Sequence, residues 1–417
     1  MRRYDAIVIG LGLAGLTAAL RLAEGGARVL VLAKGVGATH LSSSTIDVLG
    51  YAPAAVERPR EALPGFIAEH PDHPYARVGV DAIAEAIEWF KGRVDYSGSL
   101  EANLLLATAV GALRPSAVVP RSMAHGDLRG GGKLAAVGFA TLKDFYPALF
   151  ADSLRRAGVE ARAITLELPP ERRADANALA FARALDGAAY RDRLVEALAG
   201  QLGDAERVAF PAVLGYNAAP EVLEALEARL GRPVFEVPTL PPSVPGIRLH
   251  RTLLTALRRA GAAVRLNNVV VGAEGGERVE SLRVRVGLRE ERVAASWVVL
   301  ATGGFASGGL ELDSRWQARE TALGLPVSGA PAPGEPRFEP DYFAHHPFNA
   351  AGIAVDGELR PLDGSGRRVY ENVLVAGATL AGSEPWKEKS GDGISLATGY
   401  AAAGLVLGAP AVAEARS

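Results

Sequence analysis

The chain has 417 residues, 45 Lys plus Arg against 47 Asp plus Glu, a formal net charge of −2 and no cysteine. This length can bury a large core and points to two lobes rather than one. The balanced charge gives no basic excess for nucleic acid and no acidic tail. Without cysteine there is no thiolate nucleophile, disulfide or Cys-ligated iron–sulfur cluster within this polypeptide, so electrons, if it moves them, need a bound organic cofactor.

The first thirty residues carry the strongest motif. An apolar run, Ala6 to Ile9, leads into Gly10-Leu-Gly12-Leu-Ala14-Gly15, then into helical spacing at Leu16, Ala19, Leu20 and Ala23, then into a second apolar run, Val29 to Leu32. Strand, glycine turn, helix and parallel strand in this order form a dinucleotide fingerprint. Gly10 permits the tight turn, Gly12 lets backbone approach a pyrophosphate, and Gly15 lets the helix pack close to the strand. The helix start adds free N–H groups and partial positive charge. The second strand departs from the pattern: the acid that usually holds the adenosine ribose is replaced by Lys34. Lysine accepts no hydrogen bond from a hydroxyl, which disfavours a nicotinamide dehydrogenase.

The N-terminal apolar run is short and opens the glycine motif at once, so it reads as a first strand rather than a signal peptide, and a cytoplasmic protein is expected. The most apolar long stretch, Leu396 to Ala413, is broken by Thr398, glycines and Pro410 and reads as a packing helix, not a membrane span. After the second strand comes a loop rich in small and hydroxyl residues, Gly35 to Tyr51. A helix is predicted over Val80 to Val94. A second α/β block follows: strand 133–139, helix 144–157, strand 161–168, helices 175–185 and 190–202, strand 208–214 and helix 221–230. The first lobe resumes with a helix over 249–260 and a strand in GAAVRLNNVVVG (261–272). A hairpin over 279–293, a strand over 297–300 ending in Ala301-Thr302-Gly303-Gly304, and a loop-rich excursion over 308–363 come next. A strand over 372–376 ends at Gly377, and a last helix starts at Ile394.

This order predicts an α/β fold: a Rossmann-like, doubly wound parallel sheet with a β-meander, plus an inserted second α/β lobe. Residues 1–115, 244–310 and 364–417 are assigned to the nucleotide domain. Residues 116–243 and 311–363 are assigned to a lobe facing substrate or partners. Each strand end brings a glycine loop to one sheet edge, where open α/β sheets bind ligands.

Several segments carry a closer resemblance: AKGVGATHLSSSTIDVLGY (33–51), AVGFATLKDF (136–145), VPTLPPSVPGIRLH (237–250), ATGGFASGGL (301–310), FNAAGIAVDGELRP (348–361) and ENVLVAGATLAG (371–382). The overall plan is similar to the fumarate reductase and L-aspartate oxidase flavoproteins. More closely, the chain resembles the B subunits of anaerobic glycerol-3-phosphate dehydrogenase, across nearly its whole length. The resemblance implies a flavoprotein subunit of a quinone-linked complex oxidising sn-glycerol 3-phosphate to dihydroxyacetone phosphate. It would work with a catalytic A subunit and an iron–sulfur C subunit, and meet the inner face of the cell membrane only through partners. The cofactor implied is FAD, with FMN as the alternative. The glycine fingerprint, which suits a dinucleotide, favours FAD. Two other classes stay open: a self-sufficient FAD oxidase or dehydrogenase, and a non-catalytic relay or assembly subunit.

The cofactor residues expected on this basis are Gly10, Gly12, Ala14, Gly15, Lys34, Gly35, His40, Ser42, Ser43, Ser44, Ala301, Thr302, Gly303, Gly377, Asp392, Gly393, Ile394 and Ser395. Ser42 to Ser44 offer hydroxyls to the pyrophosphate or the flavin edge, although a polar surface turn would look the same. His40 is expected to make a noncovalent contact or none. Flavoproteins commonly carry an acid just after the last strand's glycine, for the ribityl hydroxyls. Here Ala378-Thr379 stand there, and Asp392 is the substitute. N–H groups at 393–395 would face the flavin N1/O2 edge. For a small phosphorylated substrate Arg248 is the first bidentate candidate, with Arg337 and Arg360 behind it. His345 and His346 are the candidates for the base that takes the hydroxyl proton.

Overall fold

A computed structural model describes residues 3–170, 175–332, 334–342 and 344–409. Its main sheet runs in the order Ala263–Leu266, Val29–Ala33, Arg3–Ile9, Arg289–Leu300, Val279–Val286, Asn268–Gly275, with Val373–Val375 also pairing on Arg289–Leu300. The strands 263–266, 29–33, 3–9, the second half of 289–300, and 373–375 are mutually parallel. The first half of 289–300 instead folds back antiparallel on 279–286, which pairs with 268–275. The doubly wound sheet with its meander is therefore present.

Two strands differ from the pattern read in the sequence. The hairpin arm near 292 and the strand 297–300 are one continuous strand, because Ala294 and Ala295 pair onward with Arg3 and Tyr4. The single strand expected in 261–272 is split at Asn267, whose φ of +58° turns the chain. Ala263–Leu266 joins the parallel layer and Asn268–Gly275 enters the meander. Asparagine tolerates the left-handed region, so the kink sits where the sequence permits it.

Helix Leu13–Glu24 is buried on nearly every side, since the sheet covers one face and the last helix, Gly391–Gly408, covers another. That helix begins three residues before the expected Ile394, at Gly391. Its contact depends on small residues: a Cβ on Gly399 would lie 2.4 Å from the Ala14 carbonyl oxygen. Of the apolar stretch 396–413, the last four residues lie outside the described ones. Among the described residues no helix is long and apolar enough to cross a membrane.

The second lobe is a parallel four-stranded sheet in the order Val234–Val237, Arg207–Pro211, Leu134–Phe139, Ala161–Leu166. Its own core runs from Ala107 to Val244 and includes Phe139 stacked on Phe181 at 4.4 Å. The excursion 311–363 does not share that core. Its buried residues Ala322, Leu325, Ile353, Val355 and Leu359 pack with the main sheet. The loop-rich composition of this stretch hid five apolar anchors spaced too irregularly to form an element.

The lobes are joined through a buried ion pair. Glu236, 2% exposed, accepts hydrogen bonds from Arg248, from Ser122 Oγ at 2.6 Å and from the Leu214 N–H at 2.7 Å. Arg248 belongs to helix Val244–Arg259, which packs on the first lobe through Leu249, Leu253 and Leu257. Removing one partner of a buried pair strands the other charge. Arg248→Met is expected to lower stability by about 3 kcal/mol in urea unfolding, and Arg248→Met/Glu236→Leu to recover most of it. A loss below about 1 kcal/mol in the single variant would contradict the assigned pairing.

Candidate functional site

The C-terminal ends of the parallel strands, Ile9, Ala33, Leu266, Leu300 and Val375, face one edge. The segments that follow them enclose a cavity of about 590 Å³: Gly10 to Ala14, Lys34 to Ser42, Asn268 to Val270, Ala301 to Gly303 and Ala376 to Ala378. Asp392 and Ser395 of the last helix complete the wall.

Absent side chains shape this space. Gly10 has φ +113°, and a Cβ there would sit 2.1 Å from the Ala301 carbonyl oxygen. A Cβ on Gly15 would sit 2.2 Å from the Gly10 carbonyl oxygen. Gly12 is different, because nothing lies within 4 Å of its Cβ position, which opens on the cavity. Gly12 caps helix 13–24 without any side-chain hydrogen bond, and the first turn holds no acid. Its N–H groups therefore face the cavity with their partial charge uncompensated.

The cavity also has side-chain atoms without partners. Thr39 Oγ1, His40 Nδ1 and Thr302 Oγ1 are buried and make no hydrogen bond, and all three residues are on the wall. Buried polar atoms are normally satisfied, so these three mark contacts for a bound molecule. Lys34 lies exposed at the rim with no carboxylate partner among the described residues. The 301–303 loop is tied to the 377–379 loop, where the Gly303 N–H donates to Thr379 Oγ1 at 2.9 Å, and that loop to the last helix, where the Gly377 N–H donates to Thr398 Oγ1 at 2.8 Å. Thr379, standing where an acid was sought, is thus spent on holding the 301–303 loop.

Of the residues expected at the cofactor, Gly10, Gly12, Ala14, Lys34, Gly35, His40, Ser42, Ala301, Thr302, Gly303, Gly377, Asp392 and Ser395 line the cavity. Gly15 lies behind the wall. Gly393 packs on Tyr75 and Val48, and Ile394 is buried in the core. Ser43 and Ser44 face away. Ser43 Oγ accepts from Arg114 at 3.1 Å, and Ser44 Oγ contacts Tyr96 OH and donates to the Pro245 carbonyl. Arg248 is engaged by Glu236 and borders a different hollow. Arg337 lies over the Trp316 ring and Arg360 pairs with Glu358. His345 meets Glu384 at 3.2 Å with its side chain 62% exposed, and His346 Nε2 meets the Tyr342 carbonyl at 3.2 Å. Neither histidine lines the cavity. Sequence reasoning passed over Thr39, Asn268 and Gly37. Gly37 was legible: its φ is +77°, and a Cβ would meet the Leu11 carbonyl oxygen at 2.5 Å.

Electrostatically the notable group is Asp392. Its carboxyl has no hydrogen bond among the described residues, and behind it Asp47 is held by Arg114 at 2.7 Å and by Ser116 at 2.6 Å. Burial first, then the Asp47 charge, pushes Asp392 up to about 7, with Arg114 pulling the other way. Burial, then His40 and Arg258, lower the pKa of His250.

These features define a dinucleotide-binding α/β protein whose cavity is suited to an FAD. The fit rests on the open Gly12, the uncapped helix start and the unpartnered hydroxyls and imidazole nitrogen. The family match and the sequence relatives agree. The family described as FAD binding domain matches residues 5–394. The chain is 37% identical over 422 residues to the probable anaerobic glycerol-3-phosphate dehydrogenase B subunit of Halobacterium salinarum, covering 95% of this chain and 96% of the relative. It is 33% identical over 412 residues to the anaerobic glycerol-3-phosphate dehydrogenase B subunit of Pectobacterium carotovorum, covering 94% and 96%. Among solved structures, a 3-ketosteroid delta1-dehydrogenase from Sterolibacterium denitrificans aligns over 98% of this chain and 100% of its own, at 14% identity and a TM-score of 0.47. The chain belongs to the FAD binding domain family and, within it, to the family of anaerobic glycerol-3-phosphate dehydrogenase B subunits.

Gly12→Val fills the open position in an allowed backbone conformation. It should weaken FAD binding by about a hundredfold, roughly 3 kcal/mol, in fluorescence titration of the apoprotein, while thermal stability stays near wild type. Unchanged affinity would place the phosphates elsewhere. For Asp392, the folded value lies above the unfolded one, near 3.8, so the folded state holds the extra proton. Its ionisation costs stability progressively from about pH 4 to about pH 7, and the cost is constant above that. Asp392→Asn should therefore stabilise the apoprotein by up to about 4 kcal/mol at pH 8, the full linkage value of a rise from 3.8 to about 7, and leave it unchanged at pH 4. An equal gain at both pH values in urea unfolding would contradict the assignment.

Proposed function

We propose that this chain is the flavin-dependent subunit of a quinone-linked anaerobic glycerol-3-phosphate dehydrogenase, oxidising sn-glycerol 3-phosphate to dihydroxyacetone phosphate. The observation that carries the reading is the convergence of the parallel strand ends on one side-chain-poor cavity, in a chain whose curated relatives bear that name. The Gly10–Gly15 turn would hold the pyrophosphate of FAD. Lys34 adds positive charge at the rim, where other proteins of this plan hold ribose with an acid. Thr39, His40, Ser42 and Thr302 would supply polar contacts, and Ser395 with the start of the last helix would hold the flavin end.

When bound, the flavin supplies the acceptor for the hydride from C2 of the substrate. The protein's part is to orient, exclude water and manage the proton. Asp392 is the carboxyl on the cavity wall, and Asp47 and Arg114 hold a fixed charge pair behind it. At neutral pH it can hold or accept a proton, which suits it better than His345 or His346 to take up the hydroxyl proton. Gly303 and Gly377, locked by Thr379 and Thr398, would offer backbone rather than side chains to the cofactor.

The relatives are named as one subunit of an assembly. A catalytic A subunit and an iron–sulfur C subunit are the partners in this reading, and they carry electrons to quinone at the inner face of the membrane. Anaerobic addition of sn-glycerol 3-phosphate to the FAD-loaded chain tests it. The visible flavin absorption should bleach with the chain alone. Bleaching only after a partner flavoprotein is added would make this chain a relay, and no bleaching in either mixture would contradict the proposed substrate.

A further inference from the structure

A second hollow, of about 480 Å³, lies between the lobes and is separate from the cofactor cavity. One wall is the outer face of helix Val244–Arg259, where Arg248, Arg251, Thr252, Thr255 and Arg259 follow one another at helical spacing. The other wall comes from the start of helix Ala219–Leu230, with Tyr216 and Asn217 before it, and from the segments around Tyr96 and Ser122. The partition between the two hollows is thin: Ser42 lines the cofactor cavity and Ser44 lines this one.

Its charges are not balanced. Arg93 is taken by Glu24 at 2.5 Å, Arg121 by Glu224 at 3.4 Å, and Arg248 by the buried Glu236. Arg251 has no carboxylate partner among the described residues. It donates to Asn217 Oδ1 at 2.8 Å and lies over the Tyr216 ring at 4.5 Å, which holds its guanidinium in place without neutralising it. Arg259, one turn beyond Thr255, has no carboxylate within 4 Å among the described residues. On the wall itself the acid is Asp95, 3.9 Å from Arg121.

We infer that this interlobe hollow is a second ligand site, for a small phosphorylated molecule whose phosphate is met by Arg259 and Thr255 and whose polar body runs along Thr252 towards Arg251. Its volume is in the range of small-ligand pockets, which favour clefts between domains. Guanidinium forks and threonine hydroxyls are the donors a phosphate monoester takes up. The site is independent of the flavin reading, since none of these arginines touches the cofactor cavity.

Inorganic phosphate and sn-glycerol 3-phosphate serve as probes, titrated calorimetrically into the FAD-loaded chain at constant ionic strength. Arg251→Gln and Arg259→Gln change exposed side chains and should fold normally. Saturable binding that Arg259→Gln weakens by about tenfold for both probes and Arg251→Gln for glycerol 3-phosphate, with flavin content and spectrum unchanged, supports the site. Glycerol 3-phosphate binding more tightly than phosphate would show that the polar body contributes. Binding untouched by both variants would overturn the proposal, as would no saturable binding of either probe. Loss of association with the partner subunits in the variants, without any phosphate binding, would overturn it in favour of an acidic protein segment as occupant. Flavin bleaching by substrate in Arg259→Gln separates this outcome from failure of the proposed activity.

Discussion

The structure depends on one steric constraint, the crossing of bare backbone at the head of the first strand. The chain leaves Ile9, turns at Gly10 against the carbonyl of Ala301, and enters a helix whose Gly15 touches the carbonyl of Gly10. Gly399 of the last helix then lies on the Ala14 carbonyl, and Gly309 on that of Gly303. A methyl group at any of these positions would approach an oxygen to between 2.1 and 2.4 Å. Backbone conformations with positive φ, as at Gly10, Gly303 and Gly377, add a second reason for glycine. Side chains excluded from these crossings leave the cavity lined by N–H groups and small residues, the surface a pyrophosphate and a planar ring require.

Much of this was legible in the sequence because it rests on local rules. The glycine spacing, the apolar runs and the ATGG and VAGAT strand ends each specify an element without reference to distant residues. Thirteen of the eighteen expected cofactor positions line the cavity for this reason. What was not legible depends on distant partners. Ser43 turns away because Arg114, 71 positions later, binds it together with Asp47. Arg248 looked free for a phosphate, but Glu236 on the neighbouring lobe occupies it. The excursion 311–363 packs with the main sheet through scattered apolar residues that no periodicity announces.

The division of labour follows from composition and topology together. A chain without cysteine has no thiolate to ligate an iron–sulfur cluster, so what it offers for redox chemistry is a shaped organic-cofactor site. The buried Glu236–Arg248 link sets the second lobe against the helix that begins beside the 39–42 loop, where a Cβ on Gly246 would meet the Thr39 and Ser42 carbonyl oxygens at 2.5 and 2.7 Å. Among the described residues Asp392 is the carboxyl on the cofactor wall, pushed up to about 7 by burial and the Asp47 charge, with Arg114, paired to Asp47, pulling the other way.

Whether this trough holds a dinucleotide flavin at all is settled most directly by denaturing the purified protein and separating whatever it releases by chromatography. An adenine-bearing flavin in stoichiometric amount is the outcome the backbone geometry demands. Release of the mononucleotide alone, or a colourless chain that takes up neither form, would contradict it.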